Sequence, residues 1–218
     1  MNTILISSTE IIDSLEIKYK KLVSAPGELK IEIYPKEKRG KKNNIIIIHA
    51  NHDLVKTKVG LRWINSKFPK INEIINIGKV IPVNQMILKN HILIPNQILS
   101  LYDSPIEWNL GIKIPSIIIN QLNQNILREA IYENNLDFIY GDVLSINPIH
   151  ENERILKELK SSKICDGVNN LVYTVNEFAE INKIPIFNIL IGSPDKYILN
   201  KKLNINLIID HILNQLYK

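Results

Sequence analysis

Asn44-Ile45-Ile46-Ile47-Ile48-His49 begins a stretch whose three parts follow three different patterns. Four consecutive isoleucines suit a strand buried on both faces, as in a parallel sheet covered by helices on either side. Leu54 to Lys67 comes next, with Val55, Val59 and Trp63 at helical spacing and Pro69 just past its end, so a helix is expected there. Ile74-Ile75-Asn76-Ile77 then reads as a second buried strand, closed by Gly78. Strands alternating with helices argue for an α/β fold with a largely parallel or mixed sheet.

The same alternation extends in both directions. Upstream, Leu29 to Tyr34 alternates apolar and charged residues like a half-buried strand, and Ile4 to Ser7 is a short apolar strand. The densest basic run, Lys36 to Lys42, contains Gly40 and reads as a hairpin loop between strands. Downstream, Ile92 to Ile94 is a short strand closed by Pro95, and Ser116 to Ile119 is extended. Leu122, Ile126, Leu127, Ala130 and Ile131 mark an amphipathic helix. Phe138 to Leu144 is a strand with Gly141 inside it, and Glu151 to Leu159 is a short helix. Val168, Leu171, Val172, Val175, Phe178 and Ala179 mark a longer helix. Ile184 to Ile191 is a strand ended by Gly192-Ser193-Pro194, and Ile205, Ile208, Ile209, Ile212, Leu213 and Leu216 mark a closing helix. Without repeat or linker, residues 1–218 are expected to form one domain.

Composition narrows the functional classes. The hydrophobic share of 45% and charged share of 22% are those of a globular protein rather than a disordered chain. A single cysteine, Cys165, rules out an internal disulfide framework and suits a reducing compartment. Cys165 precedes a predicted helix start, a position that can lower a thiol pKa, but an inert cysteine is expected. No span reaches the about 20 apolar residues of a membrane helix, and the opening residues lack a signal-peptide pattern, so a soluble cytoplasmic protein without membrane contact is expected. The net charge of +5 is modest, and aromatics clustered for base stacking are absent, so nucleic acid is not an expected partner. No His or Cys spacing suggests a metal site, and no cofactor is expected.

In an open α/β fold, ligands sit at the carboxyl ends of strands. That directs attention to the loops after Ser7, His49, Ile77, Leu144 and Ile191. The residues there resemble the nucleoside phosphorylase and nucleosidase superfamily, whose members carry a strand followed by Asn-x-Gly-x-Ala-Gly. Here the segment is Ile75-Asn76-Ile77-Gly78-Lys79-Val80, which keeps the Asn-x-Gly. Within the superfamily the sequence resembles futalosine hydrolase, a nucleosidase of the menaquinone pathway. Those proteins open with a strand and Ala-Thr-Glu, matched by Ser8-Thr9-Glu10; their late strand Ile-Pro-Phe is matched by Ile184-Pro185-Ile186-Phe187; their closing Asn-Ile helix is matched by Asn204-Ile205. The resemblance spans nearly the whole chain. It implies a three-layer α/β/α fold around a central mixed sheet, a purine nucleoside as ligand, and a homodimer.

Hydrolysis of an N-glycosidic bond passes through a ribosyl cation. It needs a carboxylate to activate water, an acid or hydrogen-bond donor at the departing base, and a carboxylate near the ribose hydroxyls. By resemblance Glu10 is the water-activating carboxylate, with Asp13 one helical turn on; Thr9, Glu10 and Asp13 equally suit the N-terminal end of a helix. Pro194 stands at the base-side acid, leaving Asp195 one residue further as the candidate. The family's Glu-x-Met-Glu, which binds ribose, falls on Val168-Asn169-Asn170-Leu171, so Asn169 and Asn170 offer hydrogen bonds but no charge. The aromatic shelf for the base falls near Ile149, the late-strand arginine on Leu190, and the glycine-rich turn on Ala50-Asn51-His52-Asp53. Asn76, Gly78 and Ser193 complete the candidate substrate-binding set. His49 and His52 flank a predicted ligand loop and are expected to be polar surface; Trp63 is expected in the core, Trp108 near the pocket or an oligomer contact, and Asp142 and Asp166 as solvated caps.

Three functions follow from these residues. One is a futalosine hydrolase-like nucleosidase, working slowly or through a rearranged site, that releases hypoxanthine. Another is a catalytically inactive nucleoside-binding or interaction protein of the same fold, suggested by the replaced catalytic positions. The third is a methylthioadenosine or adenosylhomocysteine nucleosidase, disfavoured by the loss of the paired glutamates.

Overall fold

The four isoleucines divide between two cores. In the computed structural model, Ile46 and Ile48 pack with Ile4, Ile6 and Ile74 on one face of the sheet, while Ile47 packs with Leu5, Ile75 and Ile77 on the other. Successive side chains of a strand point to opposite faces, so an unbroken isoleucine run is stable only where both faces are covered. The structure describes residues 2–7, 21–24, 30–38, 41–50, 53–68, 70–101, 114–146, 153–193 and 205–216.

Ten strands and five helices lie among those residues. In chain order they are β1 (Asn2–Ser7), β2 (Lys21–Ser24), β3 (Lys30–Lys38), β4 (Lys41–His49), α1 (Leu54–Lys67), β5 (Glu73–Pro82), β6 (Ile92–Ser100), β7 (Ser116–Ile118), α2 (Gln121–Glu133), β8 (Phe138–Ser145), α3 (Glu153–Ser162), β9 (Gly167–Val168), α4 (Val172–Ile181), β10 (Ile186–Gly192) and α5 (Ile205–Leu216). Helices α1 and α4 bury Leu61, Ile64, Val175 and Ala179 against one face. Helices α2 and α5 bury Leu127, Ile131, Ile208 and Ile212 against the other. The result is the expected three-layer α/β/α arrangement around a mixed sheet.

Strand β5 organises the sheet. Its first half pairs in parallel with β1 along one edge, and its second half pairs antiparallel with β9 beyond the end of β1. Along its other edge it pairs with β10 from Ile74 to Val80. Since β10 also pairs with β6, β6 with β8 and β8 with β9, these strands close a ring on β5. Val80, Leu93, Val143 and Leu190 pack together from four members of that ring.

Several sequence expectations change on folding. Strand β5 runs through Gly78 to Pro82, and β6 runs through Pro95 to Ser100, so neither residue ends its strand. Pro95 lacks a ladder N–H, and the pairing of β6 with β8 shifts register between Pro95 and Ile98, as a bulge allows. Val168 belongs to β9, and α4 begins only at Val172. The basic run is largely paired strand rather than loop, with Lys36 opposite Asn43 and Lys38 opposite Lys41. Helix α1 has the expected bounds but a different buried face: Thr57, Gly60, Leu61 and Ile64 point inward, while Val55 is 69% exposed. Trp63 is partly buried against that core.

Candidate functional site

The carboxyl ends of β1, β4, β8 and β10 bring Ser7, His49, Ser145 and Ser193 into the buried part of the protein. The backbone N–H of Ala50 donates to the carbonyl of Ser7 at 2.8 Å, tying the ends of β1 and β4 together. Glu10 and Asp195, the catalytic candidates, lie outside the described residues, as do Thr9, Asp13, His52, Trp108, Ile149 and Pro194.

Gly78 and Asn169 form one unit. A Cβ at Gly78 would stand 2.8 Å from Asn169 Nδ2, so the amide occupies the space that any other side chain would need. Asn169 Nδ2 donates to the carbonyl of Lys79 at 2.7 Å. Its Oδ1 accepts from the backbone N–H groups of Leu171 and Val172 at 2.9 and 2.8 Å. Those are orphan donors at the start of α4, whose own cap residue Leu171 makes no side-chain cap bond. The second candidate asparagine, Asn170, is 2% exposed. Ser145 joins the same junction: its Oγ donates to the carbonyl of Asn169 at 2.7 Å and accepts from the N–H of Tyr173 at 3.0 Å. Ser193 is held to β5 by its N–H, which donates to the carbonyl of Val80 at 3.0 Å.

Asn76 stands apart from that junction, in a buried amide chain beneath α4. Its Nδ2 donates to Asn188 Oδ1 at 2.9 Å, and Asn188 and Asn176 exchange amide bonds at 3.0 and 3.1 Å. Asn176 Nδ2 also donates to the carbonyl of Val172 at 2.7 Å, so the chain fixes α4 to β5 and β10. Asn188 and Asn176 stand outside the candidate set, although the sequence carries a signal for the first of them. Ile74-Ile75-Asn76-Ile77 and Ile186-Phe187-Asn188-Ile189 share one pattern and pair in register, which sets the two asparagines side by side.

Charge at this edge comes from β3 and β4. His49, expected at the surface, is 3% exposed, and its Nε2 lies 3.5 Å from Glu32 Oε1. Lys30 Nζ is 3.0 Å from the same carboxylate, and the Tyr34 hydroxyl donates to its other oxygen. Burial pushes the Glu32 carboxyl up, but the hydrogen bonds from Tyr34 and Lys30 and the charges of His49 and Lys30 outweigh it, so its pKa is held below the usual carboxylate value. Ser7 is the register neighbour of His49, and its buried Oγ has no hydrogen-bond partner among the described residues. Chemically, this edge supplies hydroxyl and amide hydrogen bonds and one carboxylate–imidazole pair.

Cys165 is buried, and desolvation with the neighbouring charges of Asp166 and Asp142 pushes its thiol up to about 12, which leaves it protonated at neutral pH. Asp142 and Asp166 link strands and turns instead of capping helices: Asp166 accepts from the Asp142 N–H and from Asn84 Nδ2, and Asp142 accepts from Gln97 Nε2, each at 2.8 Å. Among the described residues, no group of three or more His, Cys, Asp or Glu could hold a metal ion, and no helix is long and apolar enough to cross a membrane.

No family model matches the sequence, and no curated protein matches it. Solved structures do match the fold. The native futalosine hydrolase of Helicobacter pylori superposes with a TM-score of 0.79 at 12% identity, covering 99% of this chain and 98% of that one. The 5'-methylthioadenosine/S-adenosyl homocysteine nucleosidase of Campylobacter jejuni gives 0.73 at 14% identity, covering 100% and 96%. The corresponding nucleosidase of Colwellia psychrerythraea, solved with adenine, gives 0.75 at 12% identity, covering 99% and 96%. From first strand to last helix, this chain has the nucleoside phosphorylase and nucleosidase fold of these proteins.

Proposed function

We propose that the chain binds a purine nucleoside at the carboxyl edge of its sheet and hydrolyses the N-glycosidic bond, with futalosine as the substrate and hypoxanthine as the released base. The observation that carries this reading is the likeness to nucleosidases over nearly the full length of both compared chains. In the proposed reaction, water adds to the ribosyl C1′, the C1′–N bond breaks, and the base leaves as the neutral purine. Glu10 takes the proton of the attacking water, and Asp195 in its acid form gives the departing base the proton that makes it neutral. Ile149, Asn170 and Ser193 line the ligand, while Gly78, Asn169 and Asn76 shape the strands beneath it. The reaction belongs to menaquinone biosynthesis, the protein works in the cytoplasm, and two copies pair as a homodimer.

Purified protein mixed with futalosine or methylthioadenosine, with free base followed by chromatography and binding by calorimetry, tests the reading. Hypoxanthine should appear from futalosine, and Glu10→Ala should slow its release about 10²-fold or more. Adenine from methylthioadenosine, with futalosine untouched, would reassign the substrate.

A second reading, nucleoside binding without hydrolysis, is favoured by Asn169. By resemblance the family's two ribose-side glutamates fall on Val168 and Leu171, which leaves hydrogen bonding to the ribose to Asn170 and Asn169. The Asn169 side chain is neutral, and its amide is given to the backbone of α4 and β5. Saturable binding of either nucleoside with no base released would establish this reading over the first.

A further inference from the structure

A cleft of about 320 Å³ between α1 and α4 carries opposite charges on facing helices. Lys58 and Arg62 line it from α1 and Glu177 from α4, yet none of the three has an ion-pair partner among the described residues. Leu61 and Phe178 give it an apolar lining. Thr174, 3% exposed, also lines it, and its Oγ1 is buried with no hydrogen-bond partner among the described residues. Asn65 Nδ2 donates to Asn182 Oδ1 at 3.2 Å, bridging the two helices.

Cations on one wall, a carboxylate on the other and an apolar lining between them match a small molecule with both charges and an apolar body. The volume is at the lower end of the range for small-molecule sites. We propose that this cleft is a binding site for a free α-amino acid with an apolar side chain. Its carboxylate faces Arg62 and Lys58, its ammonium faces Glu177, and its side chain lies on Phe178 and the exposed Ile181. Charge-assisted hydrogen bonds at both ends make recognition depend on both ligand charges.

Calorimetry of the full chain with L-leucine as the probe, and with N-acetyl-leucine and leucinamide as controls, tests this. Leucine should bind saturably at one site per chain, and each blocked analogue should bind about tenfold more weakly or worse. Glu177→Gln should weaken leucine about tenfold but leave N-acetyl-leucine unchanged; Arg62→Ala should weaken leucine about tenfold but leave leucinamide unchanged. Far-UV circular dichroism checks that both surface variants fold. Absence of saturable binding, equal binding of leucine and its blocked analogues, or wild-type affinity in both folded variants overturns the proposal. So does sedimentation showing that Arg62→Ala or Glu177→Gln dissociates a dimer while leucine fails to bind, since a second copy would then fill the cleft.

Discussion

At Gly78 a side chain is excluded by one neighbouring amide, not by the backbone. A Cβ at this position would meet Asn169 Nδ2 at 2.8 Å, while the next atom, Leu190 Cδ2, is at an ordinary 3.5 Å. Gly78→Ala should therefore destabilise the fold by about 1–3 kcal/mol, the cost of overpacking a core position. Asn169→Ala should cost about 1–3 kcal/mol as well, because it strips two N–H groups of α4 and the Lys79 carbonyl of their partner. The two losses should not add. With the amide gone the extra methyl has room, so the double variant should fall short of the summed cost by about 0.5–2 kcal/mol, read from urea unfolding midpoints. The sequence suggests Gly78 and Asn169 as a pair of ligand-binding positions by resemblance. Their contact with each other joins residues far apart in the chain, so no local pattern contains it.

At the scale of elements, α1 separates what periodicity fixes from what packing fixes. Its bounds follow from the apolar spacing, from Pro69 beyond its end and from Asp53, whose Oδ1 accepts the Lys56 N–H at 2.9 Å. Its buried face does not follow, because Val55 and Val59 form one stripe and Leu61 and Ile64 belong to another. Only the sheet surface beneath decides between them. Leu61→Ala should cost about 2–5 kcal/mol and Val55→Ala no more than about 0.5 kcal/mol, by chemical denaturation. The β3–β4 pair carries a pH prediction. The lowered pKa of Glu32 means its stabilisation is present above the ordinary carboxylate value and is lost as pH falls through the lower folded-state value. Urea midpoints of the native protein should therefore drop on the acid side of pH 4.5, the ordinary pKa of a free glutamate, and Glu32→Gln should flatten that drop. No change in the acid limb would remove Glu32 from its cause.

For the whole molecule, a nucleoside that binds only the folded chain must stabilise it by mass action. At a free concentration about a hundredfold above Kd the gain is about 2.7 kcal/mol, which a thermal shift assay detects. Futalosine should raise the melting temperature in proportion to the logarithm of its concentration, and the absence of any shift with either nucleoside would count against both readings of the edge site. The α/β class, the order of the main strands and helices, and the coverage of both sheet faces are legible in the amino-acid sequence. Those features rest on local periodicity: a run such as Ile45 to Ile48 can bury every side chain only between two layers. Tertiary structure alone decided that β5 continues through Gly78, that β6 continues through Pro95 and that a ring of strands closes on β5. It also decided that Asn169 caps α4, that Asn76 and Asn188 meet, and that His49 lies buried beside Glu32. Each of these depends on partners brought together from distant parts of the chain, and a hydrogen bond or steric exclusion between them leaves no periodic trace in the sequence.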